Sequence, residues 1–270
     1  MKVRIPPQHY ASNPLRARLT GLKLPATKER GMTRFIAVYS MKGGVGKTTL
    51  AANLAWCSAM QSGHRTLLWD LDAQGGAAFL LGMEPHRKDA ARLFARDIDP
   101  AKVVQQSRWP GLDLLAADLS LRHLDRALAE EEKPRRLRKL MRTFGAGYDR
   151  VILDCPPGLG EISDQIFRAV DLLVVPLEPT PMALRSLELV EQHLKTEHDK
   201  PPRLLPVFSM ADRRKRLHCD LIAAQPDWPV IPAASVVERM AVERAPVVAF
   251  AKSAPASKAI SALWAQVDGG

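Results

Sequence analysis

The stretch "FIAVYSMKGGVGKTTL", Phe35 to Leu50, decides how the rest of the chain is read. Its first six residues are a short, almost wholly apolar run, the kind that forms a buried parallel strand. Gly43, Gly44 and Gly46 interrupt that run, and a helical pattern follows from Lys47 to Ser62, closed by Gly63. Strand, glycine-rich turn and helix start together make a phosphate loop. The glycines let backbone N–H groups point at phosphate oxygens, and the helix N-terminus adds partial positive charge. The backbone from Gly43 through Val45 to Gly46 is the expected cradle, and Lys47 is expected to reach the β- and γ-phosphates. The Thr48 hydroxyl is expected to ligate Mg²⁺, and Thr49 to add a hydrogen bond to the α-phosphate. The pattern G-x-x-x-x-G-K-[ST] fails at its first position, which is Met41. A second lysine, Lys42, stands before the glycines with no task in this scheme.

Working outward, strands alternate with helices. RTLLW (65–69), a segment near 112–116, VILD (151–154), DLLVVP (171–176) and RLLPVF (203–208) read as further strands. Small helices are expected over 88–107, and a charged helix over 120–143 that Pro134 breaks or kinks. Others are expected near 161–169, 181–198, 213–225, 235–243 and 255–267. This alternation predicts an α/β fold of the P-loop NTPase type, a mostly parallel twisted sheet with helices on both faces. The 270 residues, 46% of them hydrophobic, are enough for one large domain.

The charge is uneven. The chain carries a net +10, with eight basic side chains and one acid, Glu29, in residues 1–34. A pI near 9.8 suggests an acidic partner such as nucleic acid. Residues 1–31 hold four prolines and no clear period, which predicts a basic, disordered arm ahead of the phosphate-loop domain over 32–270. An import peptide and a natural start at Met32 are the other readings. The first residues lack an apolar h-region, and no apolar run approaches the ~20 residues of a membrane helix. Cys57, Cys155 and Cys219 lack metal spacing, fit a reducing cytoplasm and are expected in the core.

Two acidic motifs complete the expected site. "LLWDLDAQGG" (67–76) puts Asp70 and Asp72 just past a strand end, the edge of an open parallel sheet where ligands bind. "VILDCPPGLG" (151–160) ends an apolar strand on Asp154, where a carboxylate holds Mg²⁺, usually through water. Pro156, Pro157 and Gly158 force a fixed turn after it.

"KGGVGKTT" resembles the deviant Walker A loop of the ParA/MinD family of ATPases, closest to its ParA branch, and the two acidic stretches resemble the family's next motifs. The resemblance spans about 33–267 and implies a dimer formed with ATP. In it, Lys42 reaches across to the phosphates bound by the other subunit. It further implies that Asp72 positions or activates the attacking water and that Asp70 supports the Mg²⁺ shell or the loop. The family's second motif, D-x-D-P-Q-G-N, is altered here: Ala73 replaces its proline and Gly76 its asparagine. "VIPAASVVERMAVERAPVVAF" (230–250) resembles the family's late segment, which implies that Met210 and Pro232 flank adenine.

The resemblance further implies weak ATP hydrolysis that a ParB-like or other partner stimulates. It implies non-specific DNA binding in the ATP state, a nucleoid-associated place in the cytoplasm, and service in plasmid or chromosome partition or in positioning a cargo. The residues expected to touch DNA are Arg213, Arg214, Lys215 and Arg216, read as the first turn of a helix capped by Asp212. Cations there oppose the helix dipole, so an external anion such as a phosphate backbone would offset them. A solvated charged face is the alternative. Arg239, Arg244, Lys252 and Lys258 are expected to extend the patch. The apolar stripe Ile260, Leu263, Trp264 and Val267 reads either as packing onto the sheet or as a MinD-like membrane anchor. A dimeric adaptor that binds ATP with little hydrolysis is the remaining reading.

Overall fold

The computed structural model describes residues 33–84, 103–117, 121, 136–145 and 147–269. The expected arm over 1–31, the helices over 88–102 and the kink at Pro134 lie outside the described residues.

Eight strands form one sheet in the order β3-β4-β2-β5-β1-β6-β7-β8. They are β1 (Arg34–Val38), β2 (Thr66–Asp70), β3 (Gln105–Gln106), β4 (Leu112–Leu115), β5 (Arg150–Asp154), β6 (Leu172–Leu177), β7 (Arg203–Ala211) and β8 (Val230–Pro232). All neighbours run parallel except β3, which is antiparallel to β4. The expected fold is therefore present, with β3 and β8 as additions. β3 falls where a helix was expected, and its Gln-Gln sequence carries no apolar signal.

The central strands are mostly buried, yet neighbouring side chains serve opposite faces because the strand period is two. On one face Ala37, Trp69, Leu153 and Val175 pack with α3 (Arg136–Gly145), α4 (Glu161–Phe167) and α5 (Pro181–Glu197). On the other, Val38, Leu68, Ile152 and Val174 pack with α1 (Lys47–Met60) and the C-terminal helix α10 (Pro255–Gly269). The helices between are α2 (Gly76–Leu80), α6 (Arg216–Ala224), α7 (Ser235–Glu238), α8 (Met240–Glu243) and α9 (Val247–Phe250). Helix α1 is buried nearly all round, as expected for a helix apolar on every side. Its alanines at 51, 52, 55 and 59 keep it thin between the sheet and α10.

The stripe on α10 settles one alternative. Ile260, Leu263, Trp264 and Val267 are each at most 2% exposed and belong to the core beside α1. Trp264 Nε1 donates to Ser62 Oγ at 2.8 Å, and Asp268 accepts from Arg150 Nη2 at 2.7 Å. The stripe is an internal packing face, so the anchor reading falls. Among the described residues no helix is long and apolar enough to cross a membrane. Trp264→Ala is expected to cost about 3–5 kcal/mol of stability. Urea unfolding checks this; a midpoint equal to wild type would mean that α10 is not held through this face.

Two boundaries shift. The helix expected over 235–243 is two short ones meeting at Arg239. Cys57 and Cys155 are buried as expected, but Cys219 is exposed, because it lies on the outer face of α6.

Candidate nucleotide site

The sheet register places the site. Asp70 and Asp154 are aligned partners on β2 and β5, and Asp154 also aligns with Val38 at the end of β1. The phosphate loop leaves β1 between these carboxylate strands and β6, at the carboxyl edge. Gly44 and Gly46 have φ values of 75° and 87°, a region side-chain-bearing residues avoid. Gly46 is the residue that caps α1. Gly43 faces open space, so its hydrogen side chain permits close approach rather than an unusual turn. Val45 is buried, and Ser209 Oγ at the end of β7 donates to its carbonyl at 3.0 Å. Ser209 was not singled out from the sequence, although its place at a strand's carboxyl end was a usable signal.

The two lysines separate sharply. Lys47 is 6% exposed and its Nζ donates to the Lys42 carbonyl at 3.0 Å. Burial lowers its pKa, while Asp154 and Asp72 oppose that shift. The Lys42 side chain is exposed, on a loop that shares a small cleft with Ala183, Ser186 and Leu187 of α5.

The carboxylates differ as well. Asp154 is fully buried at its strand end, and neither of its side-chain oxygens completes a hydrogen bond. Burial raises its pKa to about 7; the nearby Thr48 hydroxyl and Lys47 ammonium favour the charged form. A buried carboxylate with both oxygens unmatched, facing a threonine on the first helical turn, fits a hard cation such as Mg²⁺. Asp70 is equally buried, but its oxygens accept from Asp72 N at 3.0 Å and Ala77 N at 3.1 Å. Its pKa is pushed well up, by burial first and then by Asp154. That geometry favours the loop-supporting role for Asp70 over a place in the metal shell. Asp72 is partly exposed, accepts from Gln74 N at 3.0 Å and lies close enough to act on the Lys47 charge.

The second motif also touches the first. A Cβ built on Gly76 would stand 3.1 Å from the Thr48 methyl carbon. Past Asp154, Gly158 takes φ 96° and its carbonyl accepts from Tyr39 Oη at 3.0 Å, which ties the turn to the phosphate-loop strand. Met210 (φ 55°) and Pro232 line one open cleft of ≈ 110 Å³ together with Gly46, Thr49 and Ile231. The cleft adjoins the helix start, and its lining is mostly apolar.

The basic segment needs correction. Helix α6 starts at Arg216, not 213, and its cap position is Lys215 rather than Asp212. Asp212 Oδ1 instead accepts from Arg214 N at 3.0 Å and the carboxylate pairs with the Arg214 guanidinium. This local turn holds Arg213, Arg214 and Lys215 in a loop before the helix. All four cations are exposed, but Lys215 stands 3.9 Å from Glu178 and Arg216 3.8 Å from Asp220. Internal carboxylates thus answer part of the charge that the sequence left for an external anion. Of the expected extension, Arg239 pairs with Glu243, and Arg244 lies over the Phe79 ring and donates to the Phe79 carbonyl at 3.0 Å.

A mostly parallel sheet with a glycine loop at the carboxyl end of β1, a buried lysine and strand-end carboxylates defines a P-loop NTPase. Residues 33–204 match the family described as an AAA domain. Over 178 residues the chain is 33% identical to the sporulation initiation inhibitor protein Soj of Bacillus subtilis, covering 62% of this chain and 69% of Soj. Over 194 residues it is 34% identical to the chromosome partitioning protein ParA of Caulobacter vibrioides, covering 68% and 72%. The solved structure of the septum site-determining protein MinD from Pyrococcus horikoshii, complexed with Mg-ADP, aligns with a TM-score of 0.72 at 22% identity, over 88% of this chain and 96% of that one. A putative plasmid partition protein of Borrelia burgdorferi bound to AMPPNP aligns with a TM-score of 0.75 at 20% identity, over 88% and 100%. At such identities these two likenesses speak for the fold.

The chain belongs to the ParA/MinD-type family of deviant Walker A P-loop ATPases, on its ParA-like branch. It is an ATPase, and ATP and Mg²⁺ are the cofactors its loop and carboxylates fit.

Proposed function

We propose that this ATPase forms an ATP-dependent dimer that binds DNA non-specifically, lets go on partner-stimulated hydrolysis, and so serves partition or the positioning of a cargo. One observation carries the reading: of two lysines on one loop, Lys47 is buried in its own pocket and Lys42 is exposed beside α5. A cation presented outward from a phosphate loop suits a second subunit's triphosphate, and such a charge counts most where closure excludes water. Leu159 and Met182, exposed at 39% and 62%, supply apolar surface after the Asp154 strand and at the start of α5.

Within each subunit, Lys47 and the loop amides hold the phosphates, and Thr48 and Asp154 hold the metal. Mg²⁺ there neutralises phosphate charge. Asp72 orients the attacking water and takes up its proton. The cleft of Met210 and Pro232 receives the base. Arg213 to Arg216 contact DNA phosphates through charge alone, with no base readout.

Lys42→Ala is expected to keep ATP affinity within about twofold while losing the ATP dimer. Light scattering with ATP, in an Asp72→Ala background that slows hydrolysis, reads this directly; a dimer that persists without Lys42 sinks the reading. Asp72→Ala alone is expected to lower turnover by about 10²–10⁴-fold. Equal, negligible rates with and without Asp72 would instead favour an adaptor, consistent with the altered Ala73 and Gly76 positions. For DNA, an ATP-dependent gel shift at low salt is expected on arbitrary duplex. Arg213→Ala should lower the salt-dependence slope by about 1, and no ATP-dependent shift would remove DNA from the scheme.

A further inference from the structure

We propose that Asp164, His193 and His198 form a site for one divalent transition-metal ion, zinc by its donor chemistry, that fastens α4 to the C-terminal end of α5. Among the described residues this is the group of three or more His, Cys, Asp or Glu side chains whose ligand atoms all lie within 4.8 Å of one another. His193 Nε2 lies 2.5 Å from Asp164 Oδ1, and His198 Nε2 lies 3.6 Å from the same oxygen. A tetrahedral ion with bonds of about 2.0–2.1 Å separates its ligands by roughly 3.3 Å. The observed spacings bracket that value, so a sub-ångström opening of the His193–Asp164 contact admits the ion.

A second observation points to a ligand. The His198 side chain is 2% exposed, and its Nε2 is buried with no hydrogen-bond partner. A buried ring nitrogen left bare is unfavourable, and it is aimed at the carboxylate it fails to reach. Asp164 and His193 are each about one-fifth exposed, so an ion and a completing water have access. Two imidazoles and a carboxylate suit zinc and its neighbours, whereas Mg²⁺ prefers oxygen alone. The cluster therefore differs in kind from the Thr48–Asp154 pair.

Its place gives the ion a structural consequence. Asp164 sits in the helix that follows the Gly158 turn, and Phe167 in the same helix packs edge-on against Tyr39 and both histidines. Tyr39 in turn holds the Gly158 carbonyl. A metal clamp at α4 and α5 steadies this row from the side.

The test uses the full chain, stripped of metal, without nucleotide or Mg²⁺. One equivalent of Co²⁺ is expected to give the visible absorption of tetrahedral nitrogen and oxygen ligation, and one equivalent of Zn²⁺ to displace it. Equilibrium dialysis should find one zinc per chain in wild type and in Asp154→Asn. Affinity should fall by more than about 100-fold in His198→Gln and Asp164→Asn, beyond what outer-shell changes cost. Should those variants fail to fold by circular dichroism, His193→Cys decides: the proposal requires retained Co²⁺ with a new sulfur charge-transfer band. No stoichiometric metal in wild type, wild-type affinity in His198→Gln, or no sulfur band in His193→Cys each overturns it. None of these readouts depends on ATP, so failure here leaves the nucleotide reading standing.

Discussion

Lys47→Ala is expected to raise the Kd for ATP by about 100-fold or more, enough to remove binding at ordinary nucleotide concentrations. The ammonium is almost fully buried in the loop it serves, so its bonds to phosphate form out of competition with water. Charge-assisted hydrogen bonds contribute about 1.5–3 kcal/mol each, and loss of two corresponds to at least about 3 kcal/mol. Calorimetric titration with a non-hydrolysable ATP analogue measures the change. The same substitution removes the donor on the Lys42 carbonyl, so the empty loop should also become more mobile by hydrogen exchange. ATP affinity within a few-fold of wild type would mean that the loop amides alone hold the triphosphate.

Asp154→Asn is expected to act in opposite directions on function and on apo stability. Metal-dependent hydrolysis should fall by about 10²-fold or more, since a buried ionised oxygen facing Thr48 is lost. The nucleotide-free protein should become more stable at pH 7. The sign follows from the raised pKa: the folded state keeps a proton on Asp154 up to about pH 7, while the unfolded chain releases it near 3.8. Unfolding free energy of the wild type therefore declines as pH climbs from about 4 to 7, and the amide variant escapes that share of the decline. Asp70 beside it, also raised, leaves a residual decline in both proteins. Thermal melts across this range, without Mg²⁺, compare the two. A variant no more stable than wild type at pH 7 would show that the apo site already solvates its charge.

The sequence was most legible where burial was deepest. β1, β2, β5, β6 and β7 are dominated by apolar runs that leave little polar face to confuse their period, and three of them end at residues that line the site: Asp70 on β2, Asp154 on β5, and Ser209 and Met210 near the end of β7. β3 and β8 escaped because two glutamines, or three residues ending in proline, offer no pattern to read. Helix α6 started three residues late because the Asp212 side chain closed on Arg214 N instead of capping the helix, a competition between two local hydrogen-bond patterns that spacing alone does not decide. The exposure of Cys219 follows from that same shorter helix and its outward face. The Asp164–His193–His198 cluster was invisible for another reason. Twenty-nine residues separate the first pair, and His198 lies past the end of α5, where helical spacing no longer predicts direction.

The closeness of Gly76 to Thr48 has a mechanical meaning. Ala77 N donates to Asp70, Gly76 precedes it, and the Thr48 methyl stands close to where a side chain on Gly76 would begin. The segment that carries Asp72 and the first turn of the helix that carries Thr48 thus meet at a joint with little free space. A side chain larger than hydrogen at that joint requires the threonine to give way by a few tenths of an ångström.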